Sequence, residues 1–231
     1  MPTVSCIIPV YNGEAHLGEA IDSVLGQDPR PFEVIVVDDG STDRTAEIAQ
    51  SRGEFVRYVR QANAGPSSAR AHGVDLARGE LVALLDADDR WLAGKLARQI
   101  ALLSARPELH GCMTHGRLFW EGDDAMSAEA AAWPAERRID TGGLIGSTLL
   151  AHRNVFDIAG PFDATLPHVG LPEWFTRAQE KRLAFEIIAE VFVERRMHAG
   201  NFSRQRAVRD EEYVRMLKRS LDRRRTGPAS S

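Results

Sequence analysis

VSCIIPV, from Val4 to Val10, is the stretch that decides the fold of this chain, and the turn Tyr11-Asn12-Gly13 follows it. A mostly apolar run of this length is typical of a strand that is buried on both faces of a parallel sheet. Similar runs recur at residues 32–37 and 81–85, and helical patterns lie between them. The alternation predicts an α/β fold with a mainly parallel central sheet, flanked by helices and joined by right-handed crossovers.

The length and composition narrow the class of protein. The 231 residues suit a single domain over 1–231. The formal net charge of −4 does not favour a nucleic-acid-binding protein, because such proteins usually carry a basic surface. Cys6 and Cys112 both lie in apolar runs, so buried thiols are expected rather than a disulfide framework. No secretory leader and no apolar stretch of roughly 20 residues is apparent, so we expect a cytoplasmic protein without a transmembrane segment.

The second half of the chain is less regular than the first. Helices are expected over 95–105, 172–181 and 209–225, strands over 146–151 and 184–193, and residues 109–119 form an apolar segment. Residues 121–141 are rich in alanine and acidic residues, and we expect them to form a loop or a partly helical insert. Arg223-Arg224-Arg225 is expected to be a solvated helix end, because three charges without an adjacent apolar face make a poor membrane anchor.

Polar and acidic residues follow three of the predicted strands. They are Tyr11-Asn12, Asp38-Asp39 and Asp86-Ala87-Asp88. In an open α/β sheet, ligands bind beyond the carboxyl ends of the strands, so these residues should gather on one rim. Clustered carboxylates repel one another unless a cation or hydrogen-bond donors neutralise them. A divalent cation such as Mg²⁺ or Mn²⁺, bound together with a diphosphate, would meet that demand.

The first turn lacks a glycine-rich phosphate-binding loop. It reads Pro9-Val10-Tyr11-Asn12-Gly13 and matches neither G-x-G-x-x-G nor the P-loop, which disfavours dinucleotide and ATP binding. Asp38 or Asp39 could instead accept hydrogen bonds from a nucleobase or a ribose. A nucleotidyltransferase is also disfavoured, because Gly13-Glu14-Ala15-His16 lacks the basic character of an activation loop.

Four motifs in order resemble glycosyltransferase family 2, whose members have the GT-A fold. They are Pro9-Val10-Tyr11-Asn12, Val36-Val37-Asp38-Asp39-Gly40-Ser41-Thr42-Asp43, Asn63-Ala64-Gly65 with Ala69-Arg70, and Leu84-Leu85-Asp86-Ala87-Asp88-Asp89. The resemblance covers about the first hundred residues and is specific when the motifs are taken together. It implies an enzyme that uses a nucleotide-sugar, with residues 1–105 as the donor-binding half, 106–204 as the acceptor half and 205–231 as a helical tail.

The resemblance also implies roles for single residues. Asp39, with Asp38, would recognise the base, often uracil. Asp86 and Asp88 would form the D-x-D motif, with Asp88 on the metal and Asp86 toward the ribose. The other expected donor-site residues are Pro9, Tyr11, Asn12, Arg70 and Ala87.

The C-terminal half resembles the family more loosely. Gly160-Pro161-Phe162-Asp163 is similar to a G-G-F-D turn, and the segment from Arg195 to Asn201 is similar to R-x-H-x-x-N. In some members that histidine completes the metal site, so His198 is expected to bind Mn²⁺ or Mg²⁺ together with Asp88. An imidazole is a suitable ligand beside carboxylates. Arg195 and Arg196 could be a solvated pair or could contact a diphosphate.

One departure from the family concerns the catalytic base. Inverting members place an acidic pair shortly before a Trp and an Arg, and here Gly170-Leu171 stands at that position. Glu173 is the nearest carboxylate and the first candidate; Asp163 or another group could serve instead, or the base is lost. The expected function is inverting, metal-dependent transfer from a UDP-sugar to an acceptor that is a small molecule, a lipid-linked glycan or a peptide. The alternative is a degenerate protein that binds a nucleotide-sugar or a partner without turnover.

Overall fold

The computed structural model describes residues 1–122, 124–133, 138–140, 145–202 and 206–226. The first part of the chain alternates strands and helices as the apolar runs predict. Its elements are β1 (Val4–Val10), α1 (Leu17–Leu25), β2 (Glu33–Asp38), α2 (Thr45–Gln50), β3 (Val56–Arg60), α3 (Pro66–Leu76) and β4 (Leu81–Leu84). Every residue of β1, β2 and β4 is buried, which agrees with strands covered on both faces.

The rest of the chain adds five strands and five further α-helices among the described residues. The elements are β5 (Arg90–Trp91), α4 (Lys95–Ala105), β6 (Gly111–Trp120), α5 (Asp124–Ala132), β7 (Ile139–Asp140), a 3₁₀ turn (Gly146–Thr148), β8 (Leu150–His152), α6 (Asn154–Ala159), α7 (Gly170–Glu180), β9 (Phe185–Met197) and α8 (Arg206–Thr226). The expected strand over 146–151 is therefore a 3₁₀ turn followed by a short strand. The expected insert over 121–141 contains α5 and β7, and its residues 123, 134–137 and 141 lie outside the described part.

The strands form one continuous sheet with the order β3-β2-β1-β4-β8-β6-β9-β5, and β7 pairs with the edge of β6. The pairs among β3, β2, β1 and β4 are all parallel. The strand β8 runs antiparallel to both β4 and β6, while β6 and β9 are parallel to each other. The α/β fold class is confirmed. Most of the parallel strand pairs lie in the half of the sheet that the N-terminal strands β1 to β4 form.

Two apolar cores cover the faces of the sheet. Alternate residues of β1 point to opposite faces, so Cys6 and Ile8 pack with α1 and α4, whereas Ile7 packs with α3 and α7. Cys6 and Cys112 are both free and buried, as the sequence predicts. Within the described residues, no helix has the length and apolar character needed to cross a membrane.

Candidate active site

The parallel half of the sheet brings the predicted rim together. The strands β2, β1 and β4 are neighbours in that order, and Val10 pairs with Asp38 while Ile7 pairs with Leu84. Their carboxyl ends therefore lie along one edge, which is where an open α/β sheet binds ligands. The turns that carry Asn12, Asp39 and Asp88 leave from this same edge.

Asn12 joins the turns after β1 and β2. Its backbone has a φ of 50°, in the left-handed region that asparagine tolerates. Its N–H donates to Ser41 Oγ at 2.8 Å, and its side-chain Oδ1 accepts from the N–H of Thr42 at 2.9 Å. Next to it, Tyr11 is 55% exposed, so its ring is accessible at the rim, whereas Pro9 lies within buried β1.

Asp38 and Asp39 are both buried, and each carboxylate accepts hydrogen bonds from neighbouring residues. Asp38 Oδ1 accepts from the N–H of Ser41 at 2.7 Å, and Oδ2 accepts from the hydroxyl of Tyr58 at 2.5 Å. Burial and the Asp38 carboxylate together raise the pKa of Tyr58 to about 12. Asp38 thus fixes the end of β2 and its turn.

Asp39 orders the loop that leads into α3. Its Oδ1 accepts from Gln61 Nε2 at 2.8 Å and from the N–H of Ala64 at 2.9 Å, and its Oδ2 accepts from the N–H of Gly65 at 2.8 Å. A buried carboxylate with three donors is well compensated for its lost hydration. This contact set holds one side of the rim in a defined shape.

Asp86, the first acidic residue of the D-x-D turn, is paired with Arg70. Arg70 Nη2 lies 2.6 Å from Asp86 Oδ1, and the Arg70 side chain is 12% exposed. Within the described part of the chain, Arg70 Nε is buried without a hydrogen-bond partner. Such a donor has capacity left for a ligand oxygen. Ala87 packs against the core and sets the turn between the two carboxylates.

Asp88, the second acidic residue, meets His198 and Asn201 from the end of β9. His198 Nε2 lies 3.2 Å from Asp88 Oδ2, and Asn201 Nδ2 donates to the same oxygen at 2.9 Å. The N–H of Gly200 also donates to His198 Nδ1 at 3.2 Å, which helps to orient the ring. Burial acts to raise the pKa of Asp88, but the hydrogen bond and charge of His198 outweigh it and hold that pKa below its ordinary value.

Asp89 and Arg196 brace this turn from behind, and the sequence did not predict either role. Asp89 Oδ1 accepts from the N–H of Arg196 at 3.1 Å, and Oδ2 accepts from Ser147 Oγ at 2.6 Å. Arg196 is 4% exposed; its Nε donates to the Asp88 carbonyl at 3.0 Å. Burial, together with the neighbouring charges of Asp88 and Asp86, raises the pKa of Asp89 well above its ordinary value.

Arg196 is therefore neither a solvated residue nor a free phosphate ligand. Its guanidinium forms ion pairs with Glu19 of α1 and with Glu121, and it lies over the ring of Phe119. Asp89 directly follows the D-x-D motif in the sequence, and this position is the one sequence signal for the contacts of Asp89 and Arg196 behind the turn. Ser147, which also accepts a hydrogen bond from the N–H of Asp86 at 3.0 Å, carries no recognisable motif.

The donor set at Asp88 and His198 suits a divalent cation completed by a ligand. No group of three His, Cys, Asp or Glu side chains forms a closed metal site among the residues that the structure describes. Mn²⁺ and Mg²⁺ are often held by one or two protein groups plus substrate phosphates, and carboxylate and imidazole suit Mn²⁺. The converging Asp88 and His198 atoms fit such a two-ligand arrangement.

Glu173 lies on α7, is 2% exposed, and is held in an ion pair. Its carboxylate oxygens accept from Arg177 Nε at 3.1 and 2.8 Å, and Arg223 Nη1 from α8 lies 3.3 Å from Oε1. An acceptor hydroxyl would have to displace a guanidinium to reach these oxygens. Asp163 is also engaged, by Thr165 and by Arg219 of α8. A base role for Glu173 stays a prediction that these contacts do not favour.

Gly170, at the expected position of the acidic pair, packs directly against α3. A Cβ atom added there would lie 2.0 Å from Ser67 Oγ. That distance is far below any real contact, so a side chain at position 170 would require Ser67 to move. The packing of α7 on α3 therefore disfavours a side chain at position 170, whereas position 171 carries Leu171.

The fold and the rim define a glycosyltransferase of the GT-A type. The sequence model described as Glycosyl transferase family 2 matches residues 5–149. An uncharacterised glycosyltransferase of Rickettsia typhi is 32% identical over 226 residues, which cover 92% of this chain and 69% of the relative. The chain belongs to glycosyltransferase family 2.

Two solved structures share the fold. S. aureus TarS 1–349 in complex with UDP-GlcNAc has a TM-score of 0.73 and 19% identity over 94% of this chain. Mannosyltransferase PcManGT from Pyrobaculum calidifontis, in complex with GDP-Man and Mn²⁺, has a TM-score of 0.73 and 23% identity over 99% of this chain. The chain spans 65% of that TarS chain and 66% of PcManGT.

Proposed function

We propose that the chain transfers a sugar from a nucleoside diphosphate-sugar, with UDP as the first candidate, to an acceptor nucleophile with inversion and with a divalent cation. The observation that carries the proposal is the meeting of Asp88 with His198 beside the Arg70–Asp86 pair, on the rim where the parallel strands end. The complexes of TarS with UDP-GlcNAc and of PcManGT with GDP-Man and Mn²⁺ support this class of donor.

Different residues of the chain would bind different parts of the donor. Asp39 and Asp38 would form the base-recognition side of the rim, and Tyr11 offers an exposed ring there. Arg70, with its buried Nε, would contact an oxygen of the ribose or diphosphate while its Nη2 keeps Asp86 in place. Remaining rim residues Pro9, Asn12 and Ala87 set the backbone around the donor.

Asp88 and His198 would hold Mn²⁺ or Mg²⁺. When bound, the cation supplies Lewis-acid stabilisation of the charge on the leaving diphosphate. Asn201 and Arg196 keep the Asp88 side chain and carbonyl fixed, and ligand orientation by outer residues is worth about 10–100-fold in metal affinity. The rigidity of this turn is the chain's own contribution to catalysis by preorganisation.

A second candidate function is donor binding without turnover. Gly170-Leu171 favours it, because neither residue at the position of the family's acidic pair can take a proton from an acceptor hydroxyl. Loss of a general base lowers rates by about 10²–10⁴-fold and leaves donor binding intact. Glu173 could act as the base only if its Arg177 and Arg223 partners release it during turnover.

The test compares Asp88→Asn with Asp75→Asn. Asp75 is an exposed aspartate on α3 away from the D-x-D turn, so its variant is a matched control for the loss of one carboxylate. Calorimetry with UDP, with and without Mn²⁺, should show at least about a tenfold loss of Mn²⁺-dependent affinity in Asp88→Asn alone. A panel of UDP- and GDP-sugars should show turnover in the wild type and in Asp75→Asn.

The outcomes separate the alternatives. Metal-dependent UDP binding without turnover of any sugar in the panel would favour the binding protein. Unchanged Mn²⁺-dependent affinity in Asp88→Asn would remove Asp88 from the metal site and end the proposal in this form. Activity of Glu173→Gln equal to that of the wild type would exclude Glu173 as the base.

A further inference from the structure

The helix α8 presents a second apolar face that the described part of the chain leaves exposed. Its inward side chains Tyr213 and Met216 pack with Leu166 and Val169. On the other side Val214, Leu217 and Leu221 are 68%, 56% and 54% exposed. Three exposed aliphatic side chains on one helix face form a contiguous patch rather than scattered surface residues.

The spacing of this face is that of a helix–helix seam. Val214, Leu217 and Leu221 are separated by three and four residues, and Asp210 and Arg224 continue the same alternation by four residues before and three after. Apolar residues repeated at alternating steps of three and four form the contact stripe of paired helices. We define Val214, Leu217 and Leu221 as the α8 stripe.

The charges at the two ends of the stripe are opposite. Exposed Asp210 and Glu211 precede it, and exposed Arg224 and Arg225 follow it. When two copies of α8 are antiparallel, the register that sets Val214 opposite Leu221 also sets Asp210 opposite Arg225 and Glu211 opposite Arg224. One patch is thus complementary to itself, as a two-fold symmetric interface requires.

We propose that the α8 stripe docks against the α8 stripe of a second copy of this chain, in an antiparallel and two-fold symmetric dimer. An anionic membrane is the other surface that an apolar stripe with arginines could bind. The carboxylates of Asp210 and Glu211 oppose that choice, because they would face anionic headgroups. In the dimer the same carboxylates face guanidinium groups. This inference does not depend on the donor or the reaction.

The first experiment measures the mass of the full chain in solution by light scattering over a range of concentrations. The wild type should approach twice the 25.5 kDa of one chain as concentration rises. Leu217→Asp with Leu221→Asp should remain at the mass of one chain. Val208→Asp is the matched control, because Val208 is a 43% exposed aliphatic residue on α8 outside the stripe, and this variant should still dimerise.

A charge-exchange pair tests the orientation. One variant carries Asp210→Arg and Glu211→Arg, and the other carries Arg224→Glu and Arg225→Glu. Each alone places like charges at both ends of the dimer and should weaken dimerisation by about tenfold or more. An equimolar mixture restores opposite charges at both ends and should dimerise as the wild type does.

Four results would overturn the proposal. The first is a wild-type chain that stays at the mass of one chain at every concentration. The second is a dimer that Leu217→Asp with Leu221→Asp leaves intact. The third is a single-chain species that binds phosphatidylglycerol vesicles through α8, since that outcome assigns the stripe to a membrane. Failure of the two charge variants to complement each other would exclude the antiparallel arrangement.

Discussion

Lys95 is a buried amine without a carboxylate partner among the described residues, and its titration should be visible in the stability of the chain. It lies on α4, its side chain has no exposed area, and Nζ donates to Gln99 Oε1 at 2.8 Å. Nζ also lies 4.0 Å from the centre of the Trp91 ring. Burial lowers the pKa of Lys95 from 10.5 to about 7.

The size of the effect follows from that shift. Lowering a pKa from 10.5 to about 7 disfavours the charged form in the folded chain by about 5 kcal/mol. Below pH 7 the amine is charged in both states, so the folded state carries the whole penalty. Between pH 7 and 10.5 Lys95 is deprotonated in the folded state but still protonated in the unfolded state, so the penalty declines as pH rises. The free energy of unfolding should gain about 2 kcal/mol from this group between pH 7 and 9.

The assay is urea unfolding of the wild type and of Lys95→Met at pH 6, 7, 8 and 9. Burial raises the pKa of Cys6 and of Cys112, and the charge of Lys95 acts against that rise, so both proteins also carry Cys6→Ala and Cys112→Ala to remove the two thiols from the comparison. The difference between the two proteins isolates Lys95. If the free energy of unfolding changes with pH equally in the two proteins, the lowered pKa of Lys95 is refuted.

Three further predictions concern the site. Arg196→Lys keeps the charge but loses the Nε–H donor to the Asp88 carbonyl; calorimetry should show Mn²⁺ affinity about 10–100-fold weaker, and unchanged affinity would deny the brace. Asp39→Asn replaces an oxygen that accepts a backbone N–H with an amide donor; urea unfolding should show a loss of about 1–3 kcal/mol, and weaker UDP binding should accompany it. Gly170→Ala should destabilise by about 1–3 kcal/mol because its Cβ meets Ser67, and Ser67→Gly in the same chain should recover most of that loss; additive effects in the double variant would argue against a direct clash.

The parallel half of the fold could be predicted because a strand that is buried on both faces is apolar along its length, and the local sequence shows this directly. Val4–Val10 is apolar along its whole length, and the helix that follows repeats its apolar residues at helical spacing. Because parallel strands run in the same direction, their carboxyl ends lie at one edge of the sheet, and this edge is the rim that carries the candidate site. The positions of Asp38, Asp39 and Asp86 on one edge followed from this rule alone.

The brace behind the D-x-D turn could not be predicted, because it depends on strands that join the sheet from far along the chain. Ser147 reaches Asp86 and Asp89 only because β8 pairs antiparallel with β4. Arg196 reaches the Asp88 carbonyl through β9, a hundred residues later. Their residue types are ordinary for a surface, and only tertiary pairing turns them inward.

The tail shows how a sequence pattern can mislead when a helix has two apolar faces. Arg223-Arg224-Arg225 was expected to be a solvated helix end without an adjacent apolar face; α8 does end at Thr226, but Arg223 pairs with Glu180 and Leu221 lies exposed beside the arginines. Met216 and Tyr213 bury one side of α8, which leaves Val214 and Leu221 on the other. In the sequence the two sets overlap and look like a single weak pattern, so only the structure separates the buried face from the exposed stripe.

The expected donor half and acceptor half are consecutive in the sequence, but their residues contact one another at the D-x-D turn. The donor-side turn at Asp86 and Asp88 is held by Ser147, Arg196 and Asn201, which all come from the second half. Without them two neighbouring carboxylates and a buried Asp89 would face each other with few donors, which is an unfavourable arrangement. The second half therefore shapes the proposed cation site before any acceptor arrives, and we expect donor binding to depend on the whole sheet.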